Sequence, residues 1–233
     1  MLLPLLPVKS LATSKGRLAP PLNPIERRLL TIAMLEDVIA ALQAAAMELE
    51  GGRLGRPVVI SPDREVWRRA EALGCRVVEE PPPTDADGDG DGDGDGLNRS
   101  LARAANTGVV KDAGLLVVAA DLPLASAAAF TRVGEAAERA PVVVVPSYDG
   151  TGTNVLAWRD AASFAPSFGR GSAARHLALP GAVRLDEPSL AHDVDTVADL
   201  RAVAISLDPA SVTAQRLQAV RSLANIAANV AEE

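Results

Sequence analysis

The segment Gly114-Leu-Leu-Val-Val-Ala-Ala-Asp121-Leu-Pro123 places the strongest constraint on how this chain can fold. It is an unbroken apolar run of strand length, which is typical of a strand buried on both faces of a largely parallel sheet. The run ends at a carboxylate, and Pro123 cannot donate a further ladder hydrogen bond. Because ligands of open α/β sheets bind at the carboxyl ends of the strands, Asp121 is a candidate site residue. The alternative is that Asp121 only caps the following turn.

Strand and helix patterns alternate along most of the chain. Asn23-Pro24-Ile25-Glu26 has the pattern of a capping box, and the helix that it starts ends near Gly51-Gly52. Other strands are predicted at 2–8, 58–60, 76–78, 141–146 and 183–185, and other helices after Asp63, at 97–106, at 126–139, and from Ser172 and Thr196. This order predicts an α/β fold with crossover connections and a mostly parallel sheet.

Two segments at the borders of this pattern have a different composition. Residues 1–205 are predicted to form one domain, and residues 206–233 a C-terminal helical extension that packs on the body or on a partner subunit of a homodimer. Residues 85–96 are an Asp-Gly repeat that matches the first half of a calcium-binding loop, but Gly96 stands where that loop needs a glutamate. A mobile, charge-repelled surface insertion is the preferred interpretation.

Composition narrows the class of protein. The 233 residues are 48% hydrophobic, enough for one substantial core, and the net charge of −7 argues against a nucleic-acid-binding surface. The single cysteine, Cys75, excludes an internal disulfide and favours a reducing compartment. The opening residues 2–8 are interpreted as a strand rather than a signal peptide, and no apolar run is judged long enough to cross a bilayer. We expect a cytoplasmic protein with neither nucleic acid nor membrane as a partner.

A basic loop follows the first predicted strand. Lys9, Lys15 and Arg17 lie within nine residues, with Gly16 among them. Ammonium and guanidinium groups on a flexible loop suit a polyphosphate, and the loop leaves the sheet at its ligand-binding edge. The alternative is an ordinary solvated basic loop.

Two glycine-rich segments follow later in the chain. Asp149-Gly-Thr-Gly-Thr-Asn154 offers backbone amides and hydroxyl groups to an anion, although Asp-Gly is also common in hairpin turns. Phe168-Gly-Arg-Gly-Ser172 leads into a predicted helix start, which is a second candidate anion site.

An acidic pair near the end of the predicted domain completes the candidate site. Asp193 and Asp195 alternate on what is predicted to be an extended segment, so their side chains project to the same side. Together with Asp121 they would supply hard oxygen ligands for Mg²⁺. His192 points the other way and is interpreted as a packed or capping residue, and His176, within a helix, as structural.

These parts suit the transfer of a nucleotidyl group between phosphates. Two metal ions could stabilise the attacking and leaving oxygens of an in-line displacement. The attacking phosphate is already largely ionised at neutral pH, since its second pKa is about 6, so that no general base is required. Positioning and charge neutralisation would then carry the catalysis.

Taken together, the motifs resemble those of the 2-phospho-L-lactate/phosphoenolpyruvate guanylyltransferases, which make the guanylylated precursor of the deazaflavin coenzyme F420. The resemblance runs from about residue 4 to residue 203, with the motifs in the family's order and spacing. It is carried by Pro7-Val-Lys9, Ser14-Lys-Gly-Arg-Leu-Ala19, Ala120-Asp-Leu-Pro-Leu124, Gly150-Thr-Gly-Thr-Asn154, Phe168-Gly-Arg-Gly-Ser172 and Asp193-Val-Asp-Thr196. The Asp-Gly insertion and the tail after residue 205 depart from the family pattern.

The resemblance implies a Rossmann-like nucleotidyltransferase fold, a three-layer sandwich, with GTP as the donor and pyrophosphate as the leaving group. It implies phosphoenolpyruvate or 2-phospho-L-lactate as the acceptor and Mg²⁺, as two ions, as the cofactor. The implied residues fall into four sets: metal ligands Asp121, Asp193 and Asp195; catalytic residues Asp121, Lys15 and Arg17; nucleotide-binding residues Lys9, Lys15, Arg17, Asn98 and Gly152; and acceptor-binding residues Thr153, Gly169 and Ser172.

Other functions fit parts of the same pattern. Molybdopterin and sugar nucleotidyltransferases share the fold, but their first loop is usually glycine-rich, whereas this one is rich in lysine and arginine. A metal-dependent glycosyltransferase would also use an Asp-x-Asp motif such as Asp193-Val-Asp195. A non-enzymatic nucleotide-binding module would not need three converging carboxylates.

Overall fold

The structure is a computed structural model that describes residues 1–12, 14–49, 51–80, 95–106 and 113–219. Residues 85–94 of the Asp-Gly repeat lie outside the described residues. Both interpretations of that repeat, a calcium site and a mobile insertion, therefore stay predictions.

The described chain contains seven strands and eight helices, which alternate as the sequence pattern predicts up to the fifth strand. The sixth strand follows the fifth directly, and the sequence analysis did not predict it. The strands are β1 (Leu2–Pro7), β2 (Val58–Ser61), β3 (Arg76–Glu79), β4 (Gly114–Val118), β5 (Val142–Pro146), β6 (Thr153–Trp158) and β7 (Ala182–Arg184). The helices are α1 (Pro24–Glu48), α2 (Arg64–Ala72), α3 (Asp95–Ala105), α4 (Ala127–Arg139), α5 (Ser172–Leu177), α6 (Pro188–Ala191), α7 (Val197–Ala204) and α8 (Val212–Ala219).

The strands form one sheet in the order β3-β2-β1-β4-β6-β5-β7. All neighbouring pairs are parallel except those that involve β6, which pairs antiparallel with both β4 and β5. The predicted mostly parallel sheet is confirmed. The reversal of β6 has a consequence for the site, because β6 begins at the edge where the other six strands end.

The predicted central strand is β4, and all five of its residues are buried. It pairs with β1 on one side and β6 on the other. Its first residue must be glycine, because a β-carbon on Gly114 would lie 2.8 Å from both the Arg159 carbonyl oxygen and a methyl group of Leu2. β4 therefore starts where two neighbouring segments approach it closely.

Helices cover both faces of the sheet and make the predicted three-layer sandwich. On one face, strand residues such as Leu6 and Leu116 pack with side chains of α1 and α4, including Phe130. On the other face, alternate residues such as Leu5 pack against α3 through side chains that include Leu101. The alternation follows from the period of two along a strand, which sends successive side chains to opposite faces.

Helix α1 begins as predicted and is more apolar than expected. The Asn23 side chain accepts from the Glu26 amide while the Glu26 carboxylate accepts from the Asn23 amide, which completes a capping box. Pro24–Glu48 is long and apolar enough to cross a bilayer, so the expectation that no apolar segment could do so is wrong by length and composition alone. The physical reason is burial on several sides: 61% of the relevant window is buried inside the fold, as in the core helix of a soluble protein.

A third apolar cluster lies beside the sheet and joins four distant segments. Its members come from the loop after β1, from α1, from the segment around α7 and from α8, and they are Leu18, Leu22, Leu30, Met34, Val194, Leu200, Val203 and Leu217. Helix α8 is also tied to α1 by Asp37, whose carboxylate accepts from the amides of Val212 and Thr213 at 2.8 and 2.9 Å. The described part of the tail therefore packs on the body, and residues 220–233 lie outside the described residues.

Candidate active site

The loop after β1 brings Lys15 into contact with two of the predicted carboxylates. Lys15 has a left-handed backbone conformation with φ 56° and ψ 36°, and it precedes a short 3₁₀ turn at Gly16–Leu18. The Leu18 side chain is fully buried in the third cluster and anchors this turn. The Lys15 ammonium group donates to Asp121 and, at 2.8 Å, to Asp195. One cation therefore bridges two carboxylates that are 74 positions apart in sequence.

An extended segment was predicted at Asp193 and Asp195, but these residues belong to no strand of the sheet. They lie on an irregular segment between α6 and α7. This segment is fixed by the Val194 amide, which donates to the Asp121 carbonyl oxygen at 3.1 Å, and by the fully buried Val194 side chain. The tertiary bond to Asp121, rather than sheet pairing, is what places the acidic pair. The structure thus brings all three predicted aspartates to one place.

Asn154 holds Asp193 in position, and the sequence analysis did not single it out. Its side-chain amide donates to Asp193 Oδ1 at 3.1 Å, to the Leu190 carbonyl at 3.1 Å and to the Ala191 carbonyl at 2.8 Å. Asn154 lies on β6 next to Thr153, so the reversed strand delivers both residues to the ligand-binding edge. The sequence feature that could have identified Asn154 is its position at the end of the Gly-Thr-Gly-Thr-Asn motif.

The charges of the cluster act on one another. Burial tends to lower the pKa of Lys15, but the charges of Asp121 and Asp195 outweigh it and raise that pKa, so the group stays an ammonium. Burial tends to raise the pKa of Asp195, but Lys15, with smaller contributions from Arg17 and Lys9, lowers it below the usual value. Burial and the nearby Asp121 charge raise the pKa of Asp193. The negative charge of Asp193 is therefore less compensated than that of Asp195.

The three carboxylates match a divalent cation in donor chemistry. They are hard oxygen ligands, and the pKa of Asp193 is raised first by burial and then by the negative charge of Asp121, both of which a bound cation would offset. Among the residues that the structure describes, no group of three or more His, Cys, Asp or Glu side chains is already arranged to hold an ion. The Lys15 ammonium group lies between Asp121 and Asp195 and supplies the positive charge there. The donor set fits Mg²⁺, while Lys15 contacts two of its three carboxylates.

A cleft of about 600 Å³ opens beside this cluster. A volume of this size is typical of a small-molecule site. Six of the predicted site residues line it, namely Lys9, Lys15, Arg17, Asp121, Gly169 and Asp195. Glu80, at the end of β3, and Thr31, on α1, also line it, and the sequence analysis did not single out either residue. The cationic loop and the acidic cluster therefore share one cleft.

The predicted acceptor-binding residues form a second, buried group. Ser172 is the first residue of α5, and its hydroxyl donates to Thr153 Oγ1 at 3.2 Å. Gly169 has a φ of 114°, which favours glycine, and its carbonyl accepts from the Ser172 amide at 3.1 Å. The Ala173 amide donates to the Thr151 carbonyl at 3.2 Å, which joins α5 to the turn before β6.

Two predicted nucleotide-binding residues are engaged in other contacts. The Asn98 side chain accepts from the Phe168 amide at 2.7 Å and donates to the Phe168 carbonyl at 3.1 Å. The Gly152 amide donates to Ser147 Oγ at 2.7 Å. Residues 149–152 form the turn of the β5–β6 hairpin, so the hairpin alternative for this segment is correct. The roles of Asn98 and Gly152 toward a nucleotide stay predictions.

The two histidines lie in different surroundings. His192 stacks on Tyr148 with ring centroids 4.2 Å apart, which confirms the packed interpretation. His176 is fully buried and hydrogen-bonds through both ring nitrogens. Burial, and to a lesser degree the charge of Arg175, lowers the pKa of His176 to about 4, so the ring is neutral at neutral pH.

Comparison with known proteins connects this geometry to a family. Residues 2–208 match the model of the family described as "Guanylyl transferase CofC like". The phosphoenolpyruvate guanylyltransferase of Nocardia farcinica is 37% identical over 200 residues, which cover 84% of this chain and 82% of that protein. The enzyme of the same name from Sphaerobacter thermophilus is 34% identical over 204 residues, which cover 85% of this chain and 90% of that protein.

Solved structures share the fold at low sequence identity. A protein from Desulfovibrio desulfuricans G20, described as a nucleotide-diphospho-sugar transferase, aligns with a TM-score of 0.69 at 15% identity, over 97% of this chain and 99% of that chain. The Rv0371C protein of Mycobacterium tuberculosis H37Rv, solved in complex with manganese, aligns with a TM-score of 0.52 at 15% identity, over 89% and 100% of the two chains. These likenesses show a nucleotidyltransferase-like fold.

The family match covers β1 to the end of α7 and therefore every residue of the candidate site. It favours the guanylyltransferase interpretation over the molybdopterin, sugar-nucleotide, glycosyltransferase and non-enzymatic alternatives. The chain belongs to the family of CofC-like guanylyl transferases.

Proposed function

We propose that the protein transfers GMP from GTP to the phosphate of phosphoenolpyruvate, releasing pyrophosphate, in the biosynthesis of coenzyme F420. The curated relatives at 34–37% identity are named phosphoenolpyruvate guanylyltransferases, and membership of their family makes this chain a nucleotidyltransferase. The observation that carries the proposal is the contact of Lys15 with Asp121 and Asp195 at the wall of the cleft. It places a cation that suits a triphosphate beside carboxylates that suit a metal ion.

The cleft accounts for binding of the donor. Lys9, Lys15 and Arg17 line it on one side and would face the triphosphate, whose charge they neutralise. An oxygen of the acceptor phosphate would attack the α-phosphorus of GTP, and the bond from that phosphorus to the β-phosphate oxygen would break as pyrophosphate leaves. Because the attacking phosphate, with a second pKa of about 6, is largely ionised at neutral pH, no side chain has to remove a proton from it.

Asp121, Asp193 and Asp195 would hold Mg²⁺, and two ions are proposed. Such ions would neutralise charge on the triphosphate and on the leaving pyrophosphate. The manganese complex of the Rv0371C protein is in line with use of a divalent metal on this fold. Lys15 would exchange part of its contact with Asp121 and Asp195 for the phosphates of the donor.

The acceptor would bind where Gly169 lines the cleft. Ser172 is hydrogen-bonded to the Gly169 carbonyl and to Thr153, and the hydroxyl groups of Thr153 and Ser172 would contact the phosphate and carboxylate of a three-carbon acid. The names of the relatives favour phosphoenolpyruvate over 2-phospho-L-lactate. A cytoplasmic location and a homodimer stay predictions.

The test is an assay with the full-length protein. GTP and Mg²⁺ are incubated with phosphoenolpyruvate, 2-phospho-L-lactate or 3-phosphoglycerate, and pyrophosphate release is followed. We expect rapid release with phosphoenolpyruvate, little with ATP or CTP in place of GTP, and none when a chelator removes the metal. Absence of GTP-dependent release with every acceptor would contradict the proposal.

A further inference from the structure

A buried chain of hydrogen bonds connects His176 to the acceptor side of the site. The Ser167 amide donates to His176 Nε2 at 3.1 Å, and His176 Nδ1 lies 3.0 Å from Thr153 Oγ1. Ser172 Oγ donates to the same Thr153 oxygen at 3.2 Å. His176 and Ser172 are 0% and 1% exposed, and Thr153 is 8% exposed. Bulk water therefore does not compete strongly for these groups.

The backbone contact determines which ring nitrogen carries the proton. An amide N–H can only donate, so His176 Nε2 must accept and cannot itself be protonated. Since the ring is neutral, its single proton must lie on Nδ1, which then donates to Thr153 Oγ1. The Phe168 ring packs edge-on against the imidazole at 5.0 Å between centroids and helps to hold its orientation.

This arrangement leaves the Thr153 hydroxyl with one defined role. A hydroxyl oxygen has two lone pairs, and here they accept from His176 and from Ser172. The hydroxyl proton of Thr153 is then left to donate, and no acceptor for it is recorded among the residues that the structure describes. Because β6 is reversed, Thr153 stands at the ligand-binding edge, next to Asn154 and the acidic cluster.

We propose that His176 is a positioning residue for the acceptor: by donating from Nδ1 to Thr153 Oγ1, it fixes the Thr153 hydroxyl as a hydrogen-bond donor to an anionic oxygen of the phosphorylated acid. The inference rests on the proposed function, because it needs the acceptor to bind at Thr153 and Ser172. It assigns His176 a role that acts through Thr153 and does not require contact with substrate.

The kinetic test uses two substitutions that separate the ring nitrogens. His176→Asn places an amide near the position of Nδ1 and can keep the bond to Thr153, whereas His176→Gln places it near Nε2 and loses that bond. We expect His176→Gln to raise KM for phosphoenolpyruvate about tenfold, the cost of one charge-assisted hydrogen bond, and to leave KM for GTP unchanged. His176→Asn should stay much closer to the wild type.

A double-mutant cycle with Thr153→Val tests whether His176 acts through Thr153. If it does, adding His176→Gln to Thr153→Val should cause little further rise in KM for phosphoenolpyruvate, because the shared hydroxyl is already gone. Additive effects, or equal rises in KM for both substrates, would show a merely structural role and overturn the inference. An active wild type with an unaffected His176→Gln variant would overturn this inference alone. A wild type that transfers no GMP to phosphoenolpyruvate would overturn it together with the proposed function.

An NMR measurement on the substrate-free protein shows directly which ring nitrogen of His176 carries the proton. The chain has only two histidines, so ¹⁵N-histidine labelling gives two imidazole signals, and His192→Gln assigns them. We expect the His176 signals to show a neutral ring protonated on Nδ1. A ring protonated on Nε2 would overturn the inference even if the kinetic variants fold poorly.

Discussion

At the scale of single residues, Lys15 shows how the site combines strain with charge. A left-handed backbone at a non-glycine residue costs about 1–2 kcal/mol and persists only when its surroundings impose it. Here the surroundings are the buried Leu18 on one side and the carboxylates of Asp121 and Asp195 on the other. The ammonium group is thereby held at the wall of the cleft, where it would contact the phosphates of a nucleotide under the proposed function.

Asp121 offers a direct test of the acidic cluster. We expect Asp121→Asn to lower kcat for GMP transfer by about 10²–10³-fold, since the variant loses a carboxylate that contacts Lys15 and would bind the metal. The melting temperature should change little, because Lys15 keeps its contact with Asp195. Asp160→Asn is the matched control: Asp160 is exposed, and it caps a short turn beyond the far end of β6. Turnover near wild type at saturating Mg²⁺ would contradict the role of Asp121.

The buried His176 predicts a dependence of stability on pH. Its pKa is lowered from 6.5 to about 4 in the folded chain, so the unfolded chain takes up a proton first as the pH falls. The neutral His176 ring contributes about 3 kcal/mol to the free energy of unfolding above pH 6.5. This contribution is lost as the pH falls towards 4. Urea unfolding of the wild type and of His176→Asn at several pH values measures it. The stability difference between the two proteins should shrink as the pH falls, and parallel curves would contradict the prediction.

At the scale of elements, the β5–β6 hairpin connects the two halves of the site. The first two residues of β6 serve different partners: Thr153 contacts Ser172 and His176, while Asn154 contacts Asp193 and the end of α6. An antiparallel strand within a parallel sheet is what allows this, because its amino end lies at the edge where the other strands end.

Asn154→Ala should affect both stability and metal dependence. The substitution removes the side-chain amide that donates to the Leu190 carbonyl, the Ala191 carbonyl and the Asp193 carboxylate, which costs about 2 kcal/mol in the free energy of unfolding. The Mg²⁺ concentration for half-maximal activity should rise, because Asp193 is no longer held. Asn106→Ala, at the exposed residue that follows α3, is the control. An unchanged Mg²⁺ requirement would show that Asn154 does not position Asp193 for the ion.

At the scale of the whole molecule, the third cluster couples the C-terminal helix to the site. Leu217 of α8 shares this cluster with Leu18, which anchors the Lys15 loop, and with Val194, which lies between the two acidic residues. The family match ends at residue 208, so α8 lies beyond it and still contributes to the packing under the site.

Asp37 provides a way to loosen α8 without touching the cleft. Asp37→Ala removes both acceptors for the amides of Val212 and Thr213 and should lower the free energy of unfolding by about 1–2 kcal/mol. Hydrogen exchange should rise first in α8, and KM for GTP should rise several-fold as the Lys15 loop loses support. Glu71→Ala, at an exposed position on α2, is the control. Unchanged exchange in α8 would contradict the coupling.

Local sequence information was sufficient for most of the elements and for a set of candidate site residues. The apolar run at 114–118, the capping box at Asn23 and the cap at Thr196 are local patterns, and the structure has β4, α1 and α7 where these patterns predict them. The basic loop and the acidic residues could be identified in the same way. The residue type alone indicates that lysine and arginine suit phosphate groups and that aspartate suits a metal ion.

How these residues come together depends on the tertiary structure. The sequence alone did not indicate that β6 runs antiparallel, that Asp193 and Asp195 lie on an irregular segment, or that Asn154 and His176 hold their neighbours. The reason is that strand direction and the placement of an irregular segment depend on contacts between residues far apart in the chain, such as Val194 with Asp121. Residue type and spacing determined which chemistry the protein can perform, and long-range hydrogen bonds and packing determined where that chemistry is assembled.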